Sequence, residues 1–276
     1  MNILHKFLCL LKIHLTVWVN NARVICLFLL LFLIALDVSL PLREVALGNG
    51  YTVGPWLIPF VMSNSYYCFI LHSGSLLLLC DVPFRSGLSR FYEIRCSRLT
   101  LTLSVCVFCL LVIASYFILF QIAITIILLP VLSFSNEWGS VFKLVSNNGC
   151  EGLAYTISKP ILAYLTPYKG IVYTYVLSIL ASYTHVLIIY LFDKTILKNF
   201  TIILSASTYL AAPILSGFGI YILPIQMAAI ENLAGSNAIS TPTHSLVILC
   251  IIALSLIGLI CIKNIGPFGI EEKGRY

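Results

Sequence analysis

The chain has 276 residues, of which 60% are hydrophobic and 9% are charged, and its formal net charge is +6. No stretch of ordinary polar composition is long enough for a soluble domain, so most of the chain must lie in a lipid bilayer. The positive charge requires no nucleic-acid partner, because cationic loops beside anionic membrane lipid explain it.

Long uncharged apolar runs recur along the chain, and a helix of about 20 such residues crosses the bilayer hydrocarbon. The runs lack the alternation of barrel strands, and backbone amides in lipid must pair internally, so each run predicts one transmembrane helix. The predicted spans cover residues 22–41, 56–80, 99–130, 170–192, 199–216 and 245–262. The predicted fold is therefore an all-α integral membrane protein with six transmembrane helices in a single transmembrane domain, residues 1–276.

Residues 1–21 precede the first span and place Lys6, Lys12, His14 and Trp18 among apolar residues. This pattern predicts an amphipathic helix that lies in the inner membrane interface with its basic face toward the headgroups. The alternative is a continuous helix whose first turns project into the cytoplasm.

Three further segments are expected to depart from simple spanning helices. Residues 41–55 contain several prolines and glycines, which predicts an irregular outer loop. The third run is too long for one straight span, and Pro130 should end or kink it near the outer face. Residues 150–167 are apolar but short, and Lys159-Pro160 interrupts them, so we expect them to lie on the outer surface.

The end of the fifth span is also interrupted, by Pro213, Gly217, Gly219 and Pro224, and Glu231 follows shortly afterwards. A helix that crosses by about residue 215 leaves the next residues outside the membrane. These residues are expected to form short helices that dip back into the membrane, provided that other parts of the protein bond to the backbone N–H and C=O groups that a continuous helix would have paired. The pattern thus predicts a broken, re-entrant segment between helices 5 and 6.

The orientation follows from the basic residues. With the N-terminus inside, 12 Lys and Arg residues fall in inner segments and 4 in outer segments, which together make up all 16. The positive-inside rule then predicts that both termini are cytoplasmic. The ten cysteines predict no disulfide framework, because most lie in or beside apolar runs, where cysteine behaves as a small hydrophobe.

The sequence contains no GxxxxGK[ST] phosphate loop, no HExxH and no GxSxG, so we expect a non-catalytic chain without a metal or cofactor of its own. Two histidines, His72 and His185, fall within spans, where ionisable residues are costly and often functional. We expect each to be neutral and bonded to a neighbouring helix. A proton relay, an intramembrane enzyme or maturation factor that uses either histidine, and a membrane scaffold are the alternatives.

The loop at residues 81–98 joins the second and third spans and contains four arginines and Glu93. The positive-inside rule alone explains the arginines, because positive charge holds this loop on the cytoplasmic side. The acid-Pro-Phe start and the aromatic pair Phe91-Tyr92 additionally predict a short amphipathic helix on the cytoplasmic face, which docks a soluble partner through aromatic and arginine anchors.

Residues 76–84 read LLLLCDVPF and are followed by arginines, and residues 135–139 read SNEWG. The first segment resembles the L-L-F-x-D-A-P-F stretch of permease subunits of ABC-2-type ABC transporters, with Val82 in place of Ala. The second is similar to the Trp-Gly segment that follows their third span. The order of the predicted elements also resembles these compact bacterial permeases, although residues 150–167 are more apolar than the family pattern.

The resemblance implies two permease copies, or one copy with a sister permease, bound to two ATPase subunits that hold ATP and Mg. It further implies export of a peptide, antibiotic or other amphipathic substrate across the bacterial plasma membrane. The implied ATPase-coupling residues are Asp81, Pro83, Phe84, Arg85, Arg90, Phe91, Tyr92, Glu93 and Arg95. The broken segment would form an outer gate that contains Pro213, Gly217, Gly219, Pro224 and Glu231.

Overall fold

The structure is a computed structural model that describes residues 3–82, 96–150, 152–193, 197–218, 223–230 and 241–265. Four helices are long and apolar enough to cross a membrane: Ala22–Asn49, Arg98–Val131, Pro167–Leu191 and Pro242–Asn264. Shorter apolar helices cover Ser65–Leu79 and Asn199–Leu215. The prediction of an all-α, multi-pass membrane protein is thereby confirmed.

The described residues are mostly helical. In chain order the helices are α1 (Ile3–Val19), α2 (Ala22–Asn49), α3 (Ile58–Ser63), α4 (Ser65–Leu79), α5 (Arg98–Leu128), α6 (Ser140–Asn148), α7 (Lys159–Tyr164), α8 (Pro167–Leu191), α9 (Lys198–Gly217), α10 (Pro224–Ala228) and α11 (Pro242–Ile265). The described residues contain no regular strand, and one isolated bridge joins Val53 to Leu132.

Helix α1 packs along the N-terminal half of α5. Leu10, His14 and Trp18 lie on one face and are buried, and the His14 ring is 5.6 Å from the ring of Phe108. Asn21 begins α2, because its side chain accepts a hydrogen bond from the backbone N–H of Arg23 at 3.0 Å. The break between α1 and α2 therefore lies where the sequence places the end of the N-terminal helix.

The prediction of an irregular loop over residues 41–55 is wrong for its first half. Helix α2 continues through Pro41 and ends at Asn49. Gly50 ends it with φ 64°, and its backbone N–H donates to the carbonyls of Ala46 and Leu47. The helix persists because packing on one face outweighs the missing proline N–H, whereas the left-handed turn at glycine stops it.

The second predicted span is not one continuous helix. Asn64 has extended backbone angles, φ −79° and ψ 123°, and separates α3 from α4. Its side-chain oxygen accepts hydrogen bonds from the N–H groups of Tyr66 and Tyr67 and so caps α4. Its amide nitrogen donates to the carbonyl of Ala154 at 3.1 Å. An uninterrupted helix would forfeit all three bonds.

Loop contacts join the helices at the end of the bundle where α2 and α5 finish and α8 begins. Pro130 lies in a 3₁₀ turn, Leu129–Val131, that ends the third run as predicted. The Trp56 indole donates to the carbonyl of Ser135, and the Trp138 indole donates to the carbonyl of Leu165. Helix α7 has 6 residues, far fewer than a membrane crossing requires.

Helix α8 occupies the centre of the bundle and packs against α3, α4, α5, α9, α10 and α11. Its buried polar residues, among them Thr174, Ser178 and Ser182, let neighbouring helices approach it closely. Side chains also join the helices at the opposite end of the bundle, since the Lys263 ammonium donates to the carbonyl of Leu191 and the Asn264 amide donates to Thr102 at 3.0 Å.

Candidate functional site

The described part of the chain contains a cluster of buried polar and ionisable side chains within the helix bundle. We call it the histidine cluster, and its members come from α4 (His72, Ser75), α8 (Ser182, His185) and α9 (Tyr209). All of them are buried, with 0% exposure for His72 and 3% for His185. Sequence reasoning singled out both histidines, and the structure brings both rings against the Tyr209 ring.

His72 bonds to a neighbouring helix, as expected from the sequence. Its Nδ1 lies 2.7 Å from the Ser182 hydroxyl, and the Ser75 hydroxyl lies 2.9 Å from the same oxygen. Ser75 also donates to the carbonyl of His72 at 2.7 Å. Ser75 has a single proton, so its hydroxyl donates to only one of these two oxygens at a time.

His185 uses both of its ring nitrogens. Nδ1 donates to the carbonyl of Ala181 at 2.8 Å, and Nε2 lies 3.0 Å from the hydroxyl of Thr208 on α9. The Tyr209 ring packs against both histidines, with ring-centroid distances of 5.7 Å to His72 and 4.7 Å to His185. The cluster therefore joins three helices through side chains.

Two atoms of the cluster have no hydrogen-bond partner. They are Nε2 of His72 and the hydroxyl of Tyr209, and both are buried. A buried polar atom without a partner costs roughly 1–3 kcal/mol. The arrangement of Ser182 beside His72 could serve a nucleophile and its base, but the unpartnered Nε2 has no carboxylate to orient it. Over the described residues, no three His, Cys, Asp or Glu side chains are grouped closely enough to hold a metal ion.

Asp81 is the one predicted coupling residue that falls within the described residues. Its carboxylate pairs with the Arg23 guanidinium at 2.8 Å, and the same guanidinium nitrogen lies 3.0 Å from the sulfur of Cys80. Both charged side chains are about half exposed, so the pair itself adds at most about 1 kcal/mol. The other predicted coupling residues lie outside the described residues: Pro83, Phe84, Arg85, Arg90, Phe91, Tyr92, Glu93 and Arg95.

Sequence reasoning missed Arg23 as the partner of Asp81. Both residues flank apolar runs, and opposite charges at the same end of two adjacent spans are a usable signal. Their pairing brings the start of α2 to the end of α4.

The predicted outer gate is described in part. Pro213 lies inside α9, Gly217 ends that helix, and Pro224 begins α10, whereas Gly219 and Glu231 lie outside the described residues. Helix α10 packs against α8 and α9. The buried amide of Gln226 donates to the carbonyl of Ala212 at 2.9 Å and accepts from the N–H of Leu223 at 3.0 Å.

Gln226 was not among the residues that sequence reasoning selected. Its amide links the segment after α9 to the backbone of α9, close to the Pro213 interruption. A lone glutamine in a mixed apolar segment gives no such indication before the fold is known.

Comparison of the chain with known proteins provides no independent assignment. No protein-family profile, curated protein or solved structure matches it.

Proposed function

We propose that this chain is the membrane subunit of an ABC transporter of the ABC-2 type. It exports a peptide, an antibiotic or another amphipathic substrate, and separate ATPase subunits bind ATP and Mg and supply the energy. It works with a second copy or a sister permease in the bacterial plasma membrane, with both termini in the cytoplasm. Support comes from the motif resemblance, the distribution of basic residues and the order of the helices.

The proposal requires six crossings. Four are the long apolar helices, and the fifth is α9. The sixth combines α3 with α4, because the 15 residues of α4 rise about 22 Å and α3 adds the missing length. The N-terminal helix α1 lies in the inner interface, and the segment that includes α10 is re-entrant from the outer side.

The observation that carries the proposal is the contact between Arg23 and Asp81. It joins the start of α2 to the end of α4 immediately before residues 83–95, which contain most of the predicted coupling residues. A push on this loop by an ATPase would reach α2 and α4 together. Two helices that move as a unit are what alternating access in a transporter requires.

The outer gate has its own support. Pro213 interrupts the hydrogen bonds of α9, and the Gln226 amide satisfies the carbonyl of Ala212 next to the interruption. Backbone freed inside a membrane protein is tolerated where other protein groups bond to it. The packing of α10 on α8 and α9 agrees with a segment that returns toward the bundle.

The direct test is purification of the tagged chain from cells of its own source, with mass spectrometry to identify any ABC ATPase that is recovered with it. We expect the two proteins to co-purify, and the Arg90→Glu/Arg95→Glu variant to lose the ATPase while it still inserts. An inserted wild-type chain that recovers no ATPase would contradict the proposal. If the charge-reversed chain retains the ATPase and its turnover, residues 81–98 determine topology alone.

The alternative of an intramembrane enzyme or maturation factor rests on the 2.7 Å contact between His72 and Ser182. The His72→Ala and Ser182→Ala variants distinguish the two functions. An enzyme would lose activity in both variants although the chain still assembles, whereas a transporter with a structural cluster would lose stability in proportion to activity.

A further inference from the structure

A cavity of about 110 Å³ lies among α3, α4, α9 and α10. The lining residues that matter here are Met62, Ser65, Cys68, Tyr209, Ala212 and Gln226. The histidine cluster is its neighbour, because Tyr209 belongs to both. Among the described residues, none that lines the cavity carries a charge.

Two helix interruptions border this cavity. At the first, the N–H groups of Tyr66 and Tyr67 bond to the Asn64 side chain at 3.0 and 3.3 Å. In an uninterrupted helix they would instead bond to the carbonyls of Met62 and Ser63. At the second, Pro213 offers no N–H to the carbonyl of Tyr209. The residues around the cavity thus include three backbone acceptors that lack their usual helical donors.

The polar side chains of the wall differ in their availability. The oxygen and nitrogen of the Gln226 amide each have a partner, the N–H of Leu223 and the carbonyl of Ala212, so this side chain is a fixed part of the wall. The Tyr209 hydroxyl is buried and has no hydrogen-bond partner. That oxygen is shielded from the cavity, so the released carbonyls of Met62 and Ser63 are the acceptors that the wall offers.

We propose that this cavity is a substrate subsite that binds one small, uncharged apolar group with an adjacent hydrogen-bond donor. An aliphatic side chain next to a peptide N–H has this chemistry. The proposal rests on the proposed transport function, which supplies a substrate of that kind. The uncharged wall receives the side chain, and the released carbonyls receive the donor.

The size of the cavity limits what enters. An apolar protein cavity of about 150 Å³ takes up benzene, so a smaller one admits a short aliphatic group. A charged group would lose its hydration without finding an opposite charge in the wall. The subsite therefore selects against acidic and basic side chains at one position of the substrate.

The test uses the Ser65→Cys variant, because Ser65 is exposed and lines the cavity. The purified permease in lipid nanodiscs is treated with hydroxyethyl methanethiosulfonate or with sulfonatoethyl methanethiosulfonate, two probes of similar length. Site-resolved mass spectrometry reads the modification of residue 65, so the native cysteines remain. The Tyr66→Cys variant is the exposed control, since Tyr66 does not line the cavity.

We expect the ratio of the neutral probe's modification rate to the anionic probe's rate to be about tenfold higher at residue 65 than at residue 66. Ala212→Phe should fill the cavity and abolish that excess. Ala211→Phe, on the neighbouring position of α9 outside the cavity, should preserve it. The proposal is overturned if the excess is absent, if it survives Ala212→Phe, or if both phenylalanine variants abolish it.

This measurement is made on the permease alone, so it is separate from the test of the proposed function. Loss of ATPase co-purification with an intact probe preference would refute the transporter and leave a ligand cavity. Normal ATPase assembly without a probe preference would refute the subsite and leave the transporter.

Discussion

At the residue scale, the approach of α4 to α5 depends on Gly74. A Cβ atom at this position would lie 2.4 Å from the hydroxyl oxygen of Tyr116. Tyr116 is 2% exposed and packs against the rings of Phe28 and Phe117, so it has little room to withdraw. The absence of a side chain at Gly74 therefore allows these two helices to approach each other closely.

The Gly74→Ala variant should lower the free energy of unfolding by about 1–3 kcal/mol, because the added methyl group overpacks the α4–α5 contact. Thermal unfolding in detergent measures the effect. Tyr116→Phe removes the clashing oxygen and should restore most of the loss. Gly258→Ala is the matched control, since nothing lies within 4 Å of its Cβ position. Equal stability of the Gly74→Ala and Gly258→Ala variants would contradict this account.

His14 makes the docking of α1 depend on pH. Its burial against α5 lowers the pKa of the imidazole below the ordinary value of 6.5. The docked helix therefore binds fewer protons than the undocked helix, and stability present above pH 6.5 is lost as the pH falls. We expect proteolysis within residues 1–21 to accelerate below this pH in the wild type and much less in His14→Phe. The same acceleration in both proteins would show that His14 is not responsible.

At the element scale, the sequence predicts which segments are helical better than where each helix ends. The apolar runs are helical because lipid demands internal pairing of the backbone. The ends depend on single residues, such as Gly50 rather than Pro41 for α2. Asn64 is similar, because an asparagine followed by serine in an apolar run is a helix-start signal that average hydropathy conceals.

The Asn64→Ala variant should destabilise the bundle by about 1 kcal/mol or more, because it removes the cap of α4 and the bond to Ala154. Asn64→Asp is the matched comparison, since a carboxylate still accepts from Tyr66 and Tyr67 but no longer donates to Ala154. Melting temperatures should therefore rank wild type, Asn64→Asp and Asn64→Ala in descending order. If the Asn64→Ala variant is as stable as the wild type, Asn64 does not determine the break between α3 and α4.

The histidine cluster marks where sequence reasoning stops. His72 and Ser182 are separated by 110 residues in the chain, and nothing in a single sequence says which helix faces meet. The polar residues could be selected because they are rare in spans. Their grouping around Tyr209 depends on the packing of α4, α8 and α9, which only the fold reveals.

At the scale of the whole molecule, the proposed topology places residues 81–98 and both termini on the cytoplasmic side. A reporter that is active only outside the cell should stay silent when it is fused after Tyr276. A cysteine introduced by Gly87→Cys should resist an impermeant thiol reagent applied from outside, in a background without native cysteines. The Tyr51→Cys variant, in the outer connection, is the matched control and should react. Labelling at residue 87 from outside would reverse the proposed orientation.

The central proposal is that the loop between α4 and α5 couples the conformational change of an ATPase to the transmembrane helices of this chain. The most direct measurement is site-specific photo-crosslinking from benzoylphenylalanine at Phe91 in cells of its own source, with mass spectrometry to identify the adduct and the same probe at Tyr51 as the outer control. The account predicts a covalent adduct with the ATPase from residue 91 and none from residue 51. An inserted protein that gives no ATPase adduct from residue 91 would contradict it.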